Sequence, residues 1–286
     1  MNKLLKSLIY GGELSLSVLQ STDMVNDAIR IHKLTPLAAA ALGRAMAAST
    51  FMASDLKNKD DRLYVVVAGD GAGGKITVCG NGDLYMRGAI DNPFLDLPLK
   101  DNGKLDVGGC VGRNGRITVV KSMGLKEPYS GTCPLVSGEL AEDFAAYYAY
   151  SEQRPTAMAL GVKIGKDLTC VGAGGVIVSA LPSASEESLV KAENTVKSLG
   201  NISTLIEKYG AEGVMEKYFG KSEFTTYYPE YKCLCSRENI EKIVLSLGKA
   251  EAEDIIEKEG SIKVECQFCR KNYVFTKEDA EELFKR

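Results

Sequence analysis

Residues 233–235 read CLC and residues 266–269 read CQFC, and these two stretches decide which fold the C-terminal end of the chain can adopt. Two close cysteine pairs on either side of a short fold are the pattern of a four-thiolate zinc site. Four sulfurs fill the tetrahedral shell of zinc and leave no position for water, so such a site is structural and not hydrolytic. We therefore predict one Zn²⁺ per chain, in the reduced form, bound by Cys233, Cys235, Cys266 and Cys269. The alternative is four unrelated buried thiols.

The segment around these cysteines has few large apolar residues. At about 55 residues it is of the size at which a small domain needs a metal or disulfides for stability, so loss of the metal should unfold it. Metal-bound sulfurs are thiolates, the form that oxidants attack. Each cysteine pair offers a partner within short reach, so oxidation can end in two local disulfides and expel the metal.

Composition indicates an ordinary globular protein. The chain has 286 residues, a hydrophobic fraction of 45%, a charged fraction of 26% and a net charge of -3. These values indicate neither a nucleic-acid surface nor a membrane surface. Eight cysteines in a chain of this length do not form a disulfide framework. We interpret the four that stand singly in the sequence as buried small hydrophobes: Cys79, Cys110, Cys133 and Cys170.

Two segments resemble targeting or membrane signals. The N-terminus, MNKLLKSLIYGGELSLSVLQ, starts like a signal peptide, but Lys6 and Glu13 interrupt its apolar stretch and no small-residue cleavage site follows. Pro36–Ala53 is alanine-rich and carries Arg44, which would cost about 2.5 to 3.5 kcal/mol at the centre of a bilayer. We predict a buried helix there and a cytoplasmic protein.

The rest of the chain predicts an α+β fold in three parts. Residues 1–180 should form a mixed α/β body with antiparallel sheets: a hairpin over 4–20, helices after Ser21 and Thr35-Pro36, a strand meander over 62–120, a helix over 138–150 and a closing hairpin over 156–180. Residues 181–231 should form a helical linker that begins with a capping box of Ser183 and Glu186. Residues 232–286 should form the small zinc domain, with helices near 237–247 and 250–258, two strands and a helix capped by Thr276.

Two further patterns suggest activities that their context does not support. Gly69–Gly74 (GDGAGG) matches a dinucleotide-binding fingerprint, but the following residues, KITVC, alternate like a strand and not like the required helix. We interpret this segment as a hairpin turn. His32, the only histidine, stands near a helix end without the partners of a catalytic triad. We predict that the protein is not an enzyme.

Several stretches carry a resemblance that covers essentially the whole chain: TPLAAAALGRAM (35–46), AGDGAGG (68–74), YSGTCPLVSGELAEDFAAYYAYSEQR (129–154), GAGGVIVSALP (172–182) and the two cysteine pairs. In these the chain resembles the bacterial redox-regulated chaperonin family called heat-shock protein 33. The resemblance implies an ATP-independent holdase that binds unfolding client proteins under oxidative and heat stress and is a homodimer when active. It implies that the reduced, zinc-bound form is inactive. It also implies that the activating disulfides join Cys233 with Cys235 and Cys266 with Cys269.

Two other function classes stay open at this point. The first is a zinc-ribbon nucleic-acid adaptor, but residues 232–286 contain 11 Lys and Arg against 12 Asp and Glu, without a basic stripe for phosphates. The second is a thiol oxidoreductase that uses Cys266 and Cys269, although the flanking sequence lacks the βαβ pattern of that class.

Overall fold

The structure is a computed structural model that describes residues 1–285. It divides into two compact units, Met1–Lys232, here called the body, and a C-terminal unit that starts at Cys233. Each unit has a hydrophobic core of its own. The predicted linker segment, 181–231, belongs to the body by this division, and the three-part domain assignment stays a prediction.

The body alternates strands and helices. Its first half contains β1 (Lys3–Ile9), β2 (Leu14–Gln20), α1 (Thr22–His32), α2 (Pro36–Ala53), β3 (Arg62–Ala68), β4 (Ile76–Asn81) and β5 (Tyr85–Ile90). Its second half contains α3 (Val107–Val111), β6 (Arg116–Ser122), β7 (Tyr129–Pro134), α4 (Ala141–Ser151), β8 (Thr156–Ile164), β9 (Cys170–Ala180), α5 (Glu186–Ser198), α6 (Ile202–Phe219), β10 (Thr225–Tyr227) and β11 (Glu230–Tyr231). The predicted α+β class, with antiparallel sheets, is confirmed.

The first sheet has the strand order β10-β1-β2-β9-β8 and is antiparallel throughout. Successive side chains of a strand point to opposite faces, so Leu4 and Leu5 enter different cores. On the face of Leu5, the apolar sides of α5 and α6 cover the sheet. On the face of Leu4 the sheet packs against α2.

The second sheet has the order β11-β5-β4-β3-β6-β7 and contains the predicted meander. The sequence patterns did not predict β7, which pairs antiparallel with β6, or β11, which pairs parallel with β5. The Gly69–Gly74 segment is the turn from β3 to antiparallel β4, which confirms the hairpin interpretation. A Cβ atom on Gly69 would lie 2.1 Å from the carbonyl oxygen of Val111, so this glycine allows the turn to contact α3 closely.

The alanine-rich helix α2 lies between the two sheets, as a helix that is apolar all round must. Each of its residues except Pro36 and Arg44 is buried, which confirms the predicted buried helix. Arg44 forms an ion pair with Glu139 at 2.7 Å. Among residues 1–285, no helix combines the length and apolarity needed to cross a membrane.

Some local predictions need correction. The N-cap of α5 is Ser185, whose hydroxyl accepts from the backbone N–H of Ser188, and not Ser183. Glu13 contacts Ser185 as well, accepting hydrogen bonds from its N–H and its hydroxyl. His32 is buried, and its Nε2 lies 3.1 Å from the hydroxyl of Tyr231. Cys79, Cys110, Cys133 and Cys170, which lie outside the two close cysteine pairs in sequence, are buried in the body, as predicted.

The C-terminal unit contains α7 (Arg237–Leu247), α8 (Lys249–Glu259), β12 (Ile262–Glu265), β13 (Asn272–Phe275) and α9 (Lys277–Leu283). β12 and β13 form an antiparallel hairpin. Thr276 caps α9 in a capping box with Asp279, which confirms the predicted helix start. The core of the unit is small, and the cysteine side chains form part of it.

Candidate metal centre

Two local structures bring the cysteines of the C-terminal unit together. The hairpin turn between β12 and β13 carries Cys266 and Cys269, and it is closed by hydrogen bonds from the Cys266 N–H to the Lys271 carbonyl (2.9 Å) and from the Arg270 N–H to the Cys266 carbonyl (2.8 Å). Cys233 and Cys235 lie in the extended segment before α7. The N-cap of that helix, Ser236, accepts from the Asn239 N–H and ends the segment directly after Cys235.

The four sulfurs form a compact group, with all Sγ atoms within 4.8 Å of one another. Cys233 Sγ lies 3.7 Å from Cys266 Sγ, and Cys235 Sγ lies 3.4 Å from Cys269 Sγ. Sulfurs that each lie about 2.3 Å from a tetrahedral metal are about 3.8 Å apart, so the group has the size of a four-thiolate site. The four predicted ligands are therefore adjacent in the structure and could hold a metal ion.

Burial and hydrogen bonding act against each other on the pKa values of three of these thiols. Burial raises the pKa of Cys233 far above its ordinary value, although the backbone N–H of Cys235 opposes the shift. Burial likewise raises the pKa of Cys269 to about 11, against the opposing N–H of Lys271. Burial acts in the same direction on Cys235, but hydrogen bonds from Tyr273 and from the other thiols outweigh it and lower its pKa to about 7. Metal binding requires deprotonated sulfur, and the hydrogen bonds to Cys235 favour that form.

Tyr273 is a neighbour of the cysteine cluster that was not among the residues predicted from the sequence. Its side chain is 5% exposed, and its hydroxyl donates to Cys235 Sγ at 3.1 Å. A signal was present in the sequence, because residues alternate between the two faces of a hairpin. Tyr273 pairs with Val264 in the register of β12 and β13, so the two side chains share a face of the hairpin. Cys266 lies two residues after Val264, and the alternation places it on that same face.

Comparisons with known proteins identify the family. Residues 2–276 match the model of a protein family described as Hsp33 protein. The chain belongs to the Hsp33 family. The resemblance inferred from the sequence is thereby confirmed.

Relatives in this family match over nearly their whole length. A 33 kDa chaperonin of Clostridium acetobutylicum is 38% identical over 290 residues, with 100% of this chain and 98% of the relative covered. A 33 kDa chaperonin of Caldanaerobacter subterraneus subsp. tengcongensis is 40% identical, with 99% of this chain and 97% of the relative covered. The name of these Hsp33 relatives supports a chaperone role for this chain.

The same family appears among solved structures. The crystal structure of a 33 kDa chaperonin, a heat shock protein 33 homolog from Thermotoga maritima, matches with a TM-score of 0.91 at 34% identity. The match covers 99% of this chain and 98% of that one. The Hsp33 fold therefore extends over both units of the chain.

Proposed function

We propose that this Hsp33 chain is a redox-regulated, ATP-independent holdase that binds unfolding client proteins. The observation that carries the proposal is the group of four cysteine sulfurs within 4.8 Å in a small separate unit of a chain from a chaperonin family. The reduced, zinc-bound form is inactive, and oxidation to disulfides with loss of zinc activates it. The protein acts by binding and not by catalysis.

The metal is zinc, held by Cys233, Cys235, Cys266 and Cys269. Four sulfurs at tetrahedral spacing suit zinc and leave no open position for a substrate. When bound, zinc supplies a structural cross-link between the segment before α7 and the β12–β13 turn. Oxidation of the thiolates removes these ligands, and the disulfides that we propose join Cys233 with Cys235 and Cys266 with Cys269.

The client-binding surface is proposed to be the apolar face of the first sheet, which α5 and α6 cover in the reduced form. The buried side chains at this interface come from both layers, with Leu16, Val18 and Val176 on the sheet and Val196 and Ile206 on the helices. An uncovered apolar face of this kind would attract other unfolded chains.

The connection from the metal centre to this surface runs along the chain. Tyr231 ends β11 directly before the first cysteine pair, and its hydroxyl donates to the Gly88 carbonyl at 3.0 Å. The Lys232 N–H donates to the Met86 carbonyl at 2.8 Å. Unfolding of the C-terminal unit would expose this short strand to fraying. The 13-residue helix α5 and the two shorter helical pieces into which Gly210 divides α6 keep their structure only while they are packed.

We further propose that the resting protein is in the cytoplasm, because the switch requires thiols that are reduced before stress. The active form is proposed to be a homodimer. Nucleic acid and membrane are not among its proposed partners.

The first test compares the zinc-loaded, reduced protein before and after hydrogen peroxide treatment at mildly elevated temperature. We expect loss of about one zinc per chain, loss of helical signal from the C-terminal unit, and suppression of client aggregation by the oxidised form alone. Zinc release, circular dichroism and light scattering measure the three changes. Trypsin cleaves after Lys232, Arg237, Lys263 and Arg270, so mass spectrometry of the two cysteine peptides reports the disulfide pairing. Equal suppression by both forms would contradict the proposal.

A second prediction tests the role of the covering helices α5 and α6 without any change at the cysteines. Ile206 of α6 is 2% exposed in the interface with the first sheet. Ile206→Asp would place a charge there and remove about 1.5 to 3 kcal/mol of apolar burial. The reduced variant should therefore suppress client aggregation while it retains its zinc.

Thr204→Asp is the matched control, because it introduces the same side chain at an exposed position of the same helix. It should leave the reduced protein inactive. The proposed surface would be wrong if Ile206→Asp released α6, seen as faster amide exchange over residues 202–219, and the reduced protein stayed inactive.

A further inference from the structure

The donors that reach the cluster differ in kind. Cys233 and Cys269 receive hydrogen bonds from backbone N–H groups, those of Cys235 and Lys271. Cys235 receives the side-chain hydroxyl of Tyr273, with 3.1 Å between Oη and Sγ. Backbone donors are present whatever the sequence, whereas this hydroxyl depends on one residue. Among these donors, the Tyr273 hydroxyl is therefore a sequence-specific one, and it reaches the sulfur of Cys235.

Burial of the Tyr273 ring holds its hydroxyl next to the sulfur of Cys235. The Tyr273 ring is 5% exposed in the core of the C-terminal unit, together with Phe275 of the same strand. A ring held by packing has little freedom to turn its hydroxyl elsewhere. Hydrogen bonds to ionised acceptors are shorter and stronger than those between neutral groups, so the contact is strongest when Cys235 is a thiolate.

A donated hydrogen bond changes what the sulfur can do. In the zinc-loaded protein a ligating Cys235 is deprotonated with or without Tyr273, so the hydrogen bond does not act through the amount of thiolate. It occupies a lone pair of the thiolate that would otherwise attack an oxidant, and it holds the Cys235 side chain in one orientation. We propose that Tyr273 is a positioning residue that slows the reaction of Cys235 with hydroperoxides and so delays oxidation of the Cys233 and Cys235 pair. This inference rests on the proposed redox function of the cluster.

The delayed step, written for hydrogen peroxide, is a two-electron oxidation of a thiol pair by one molecule of the oxidant. The Cys235 thiolate attacks one peroxide oxygen, the O–O bond breaks, and the leaving hydroxide takes up a proton to form water. The sulfur is then a sulfenic acid. The Cys233 thiolate attacks this sulfur, an S–S bond forms as the S–O bond breaks, and the oxygen leaves as hydroxide, which takes up a proton to form a second water.

The test is Tyr273→Phe in the full-length, zinc-loaded, reduced protein, treated with hydrogen peroxide and quenched with an alkylating agent at intervals. Trypsin separates the two pairs into peptides 233–237 and 264–270, so each molecule provides an internal comparison. The phenylalanine keeps the packed ring and removes the hydroxyl. We expect oxidation of peptide 233–237 to become about tenfold faster, with less than about a twofold change for peptide 264–270.

Equal acceleration of both peptides would mean that the substitution only loosens the fold, and this outcome would overturn the proposal. An unchanged rate for peptide 233–237 would overturn it as well. Tyr150→Phe, at a side chain that is 78% exposed in the body, is the control and should change neither rate. Client aggregation measured on the same samples separates the two hypotheses. If suppression of client aggregation does not increase as either peptide becomes oxidised, the proposed redox function is wrong. The oxidation rates of the two peptides still decide the role of Tyr273 in that case.

Discussion

Replacement of Cys266 by serine should abolish zinc binding and unfold the C-terminal unit while the body stays folded. Cys266 is the most deeply buried of the four sulfurs, at 8% exposure, and the backbone of the same residue closes the β12–β13 turn. Structural zinc contributes about 10 to 16 kcal/mol of apparent binding energy in small zinc-folded peptides. The core of this unit is too small to replace such a contribution.

Hydrogen exchange measures this effect by region. Amides of residues 237–283 should lose their protection in Cys266→Ser, whereas those of the two sheets of the body should keep it. Cys79→Ala removes a buried thiol of the body and is the control, which should retain about one zinc per chain. Protected amides in the C-terminal unit of Cys266→Ser, in the presence of a chelator, would show that the cluster does not hold this fold together.

Asp143→Ala should destabilise the body by about 3 to 5 kcal/mol, without any effect on the cysteines. The carboxylate is fully buried at the start of α4. Its Oδ1 accepts from the N–H groups of Val136 (2.6 Å), Ser137 (2.9 Å) and Gly138 (3.2 Å). Its Oδ2 accepts from the Leu140 N–H at 2.7 Å. Alanine would leave these donors without their partner, in a loop whose Leu140 already has a φ of 74°.

Urea unfolding followed by circular dichroism, with zinc and reductant present so that the C-terminal unit stays folded, measures this difference. Asp143→Asn should lose less stability than Asp143→Ala, because it keeps one carbonyl oxygen but turns an amide donor towards another donor. Glu142→Ala, at the exposed neighbouring position, is the control and should change the free energy of unfolding by no more than about 0.5 kcal/mol. Equal stability of Asp143→Ala and Glu142→Ala would refute the role of the carboxylate.

Local sequence patterns were sufficient for most of the elements and for the candidate metal centre. Thr35-Pro36 predicted the start of α2, Thr276 predicted that of α9, and the alternating residues of 4–20 predicted the first hairpin. The cysteine spacing predicted the four side chains that lie together in the structure. Each of these patterns depends on a few neighbouring residues, whose geometry local propensity and capping determine.

Local patterns did not predict the short strands β10 and β11. With three and two residues, they are too short to carry a periodic signal, and they form because β1 and β5 offer them an open edge. Ser183 was predicted as the cap of α5 from its spacing to Glu186, yet Ser185 takes this position. Its side chain and N–H are held by Glu13, which is 172 residues away in sequence.

The sequence by itself therefore determined the α+β class, most helices and strands, the four adjacent cysteines of the candidate metal centre and the Hsp33 resemblance. Only the tertiary structure decided that the Asp143 carboxylate organises the loop before α4, that His32 meets Tyr231, and that the Tyr273 hydroxyl reaches Cys235. The physical reason is that each of these contacts joins single polar groups of residues whose types also occur on exposed surfaces. Chain folding brings the partners together, and burial away from water then makes each hydrogen bond costly to lose.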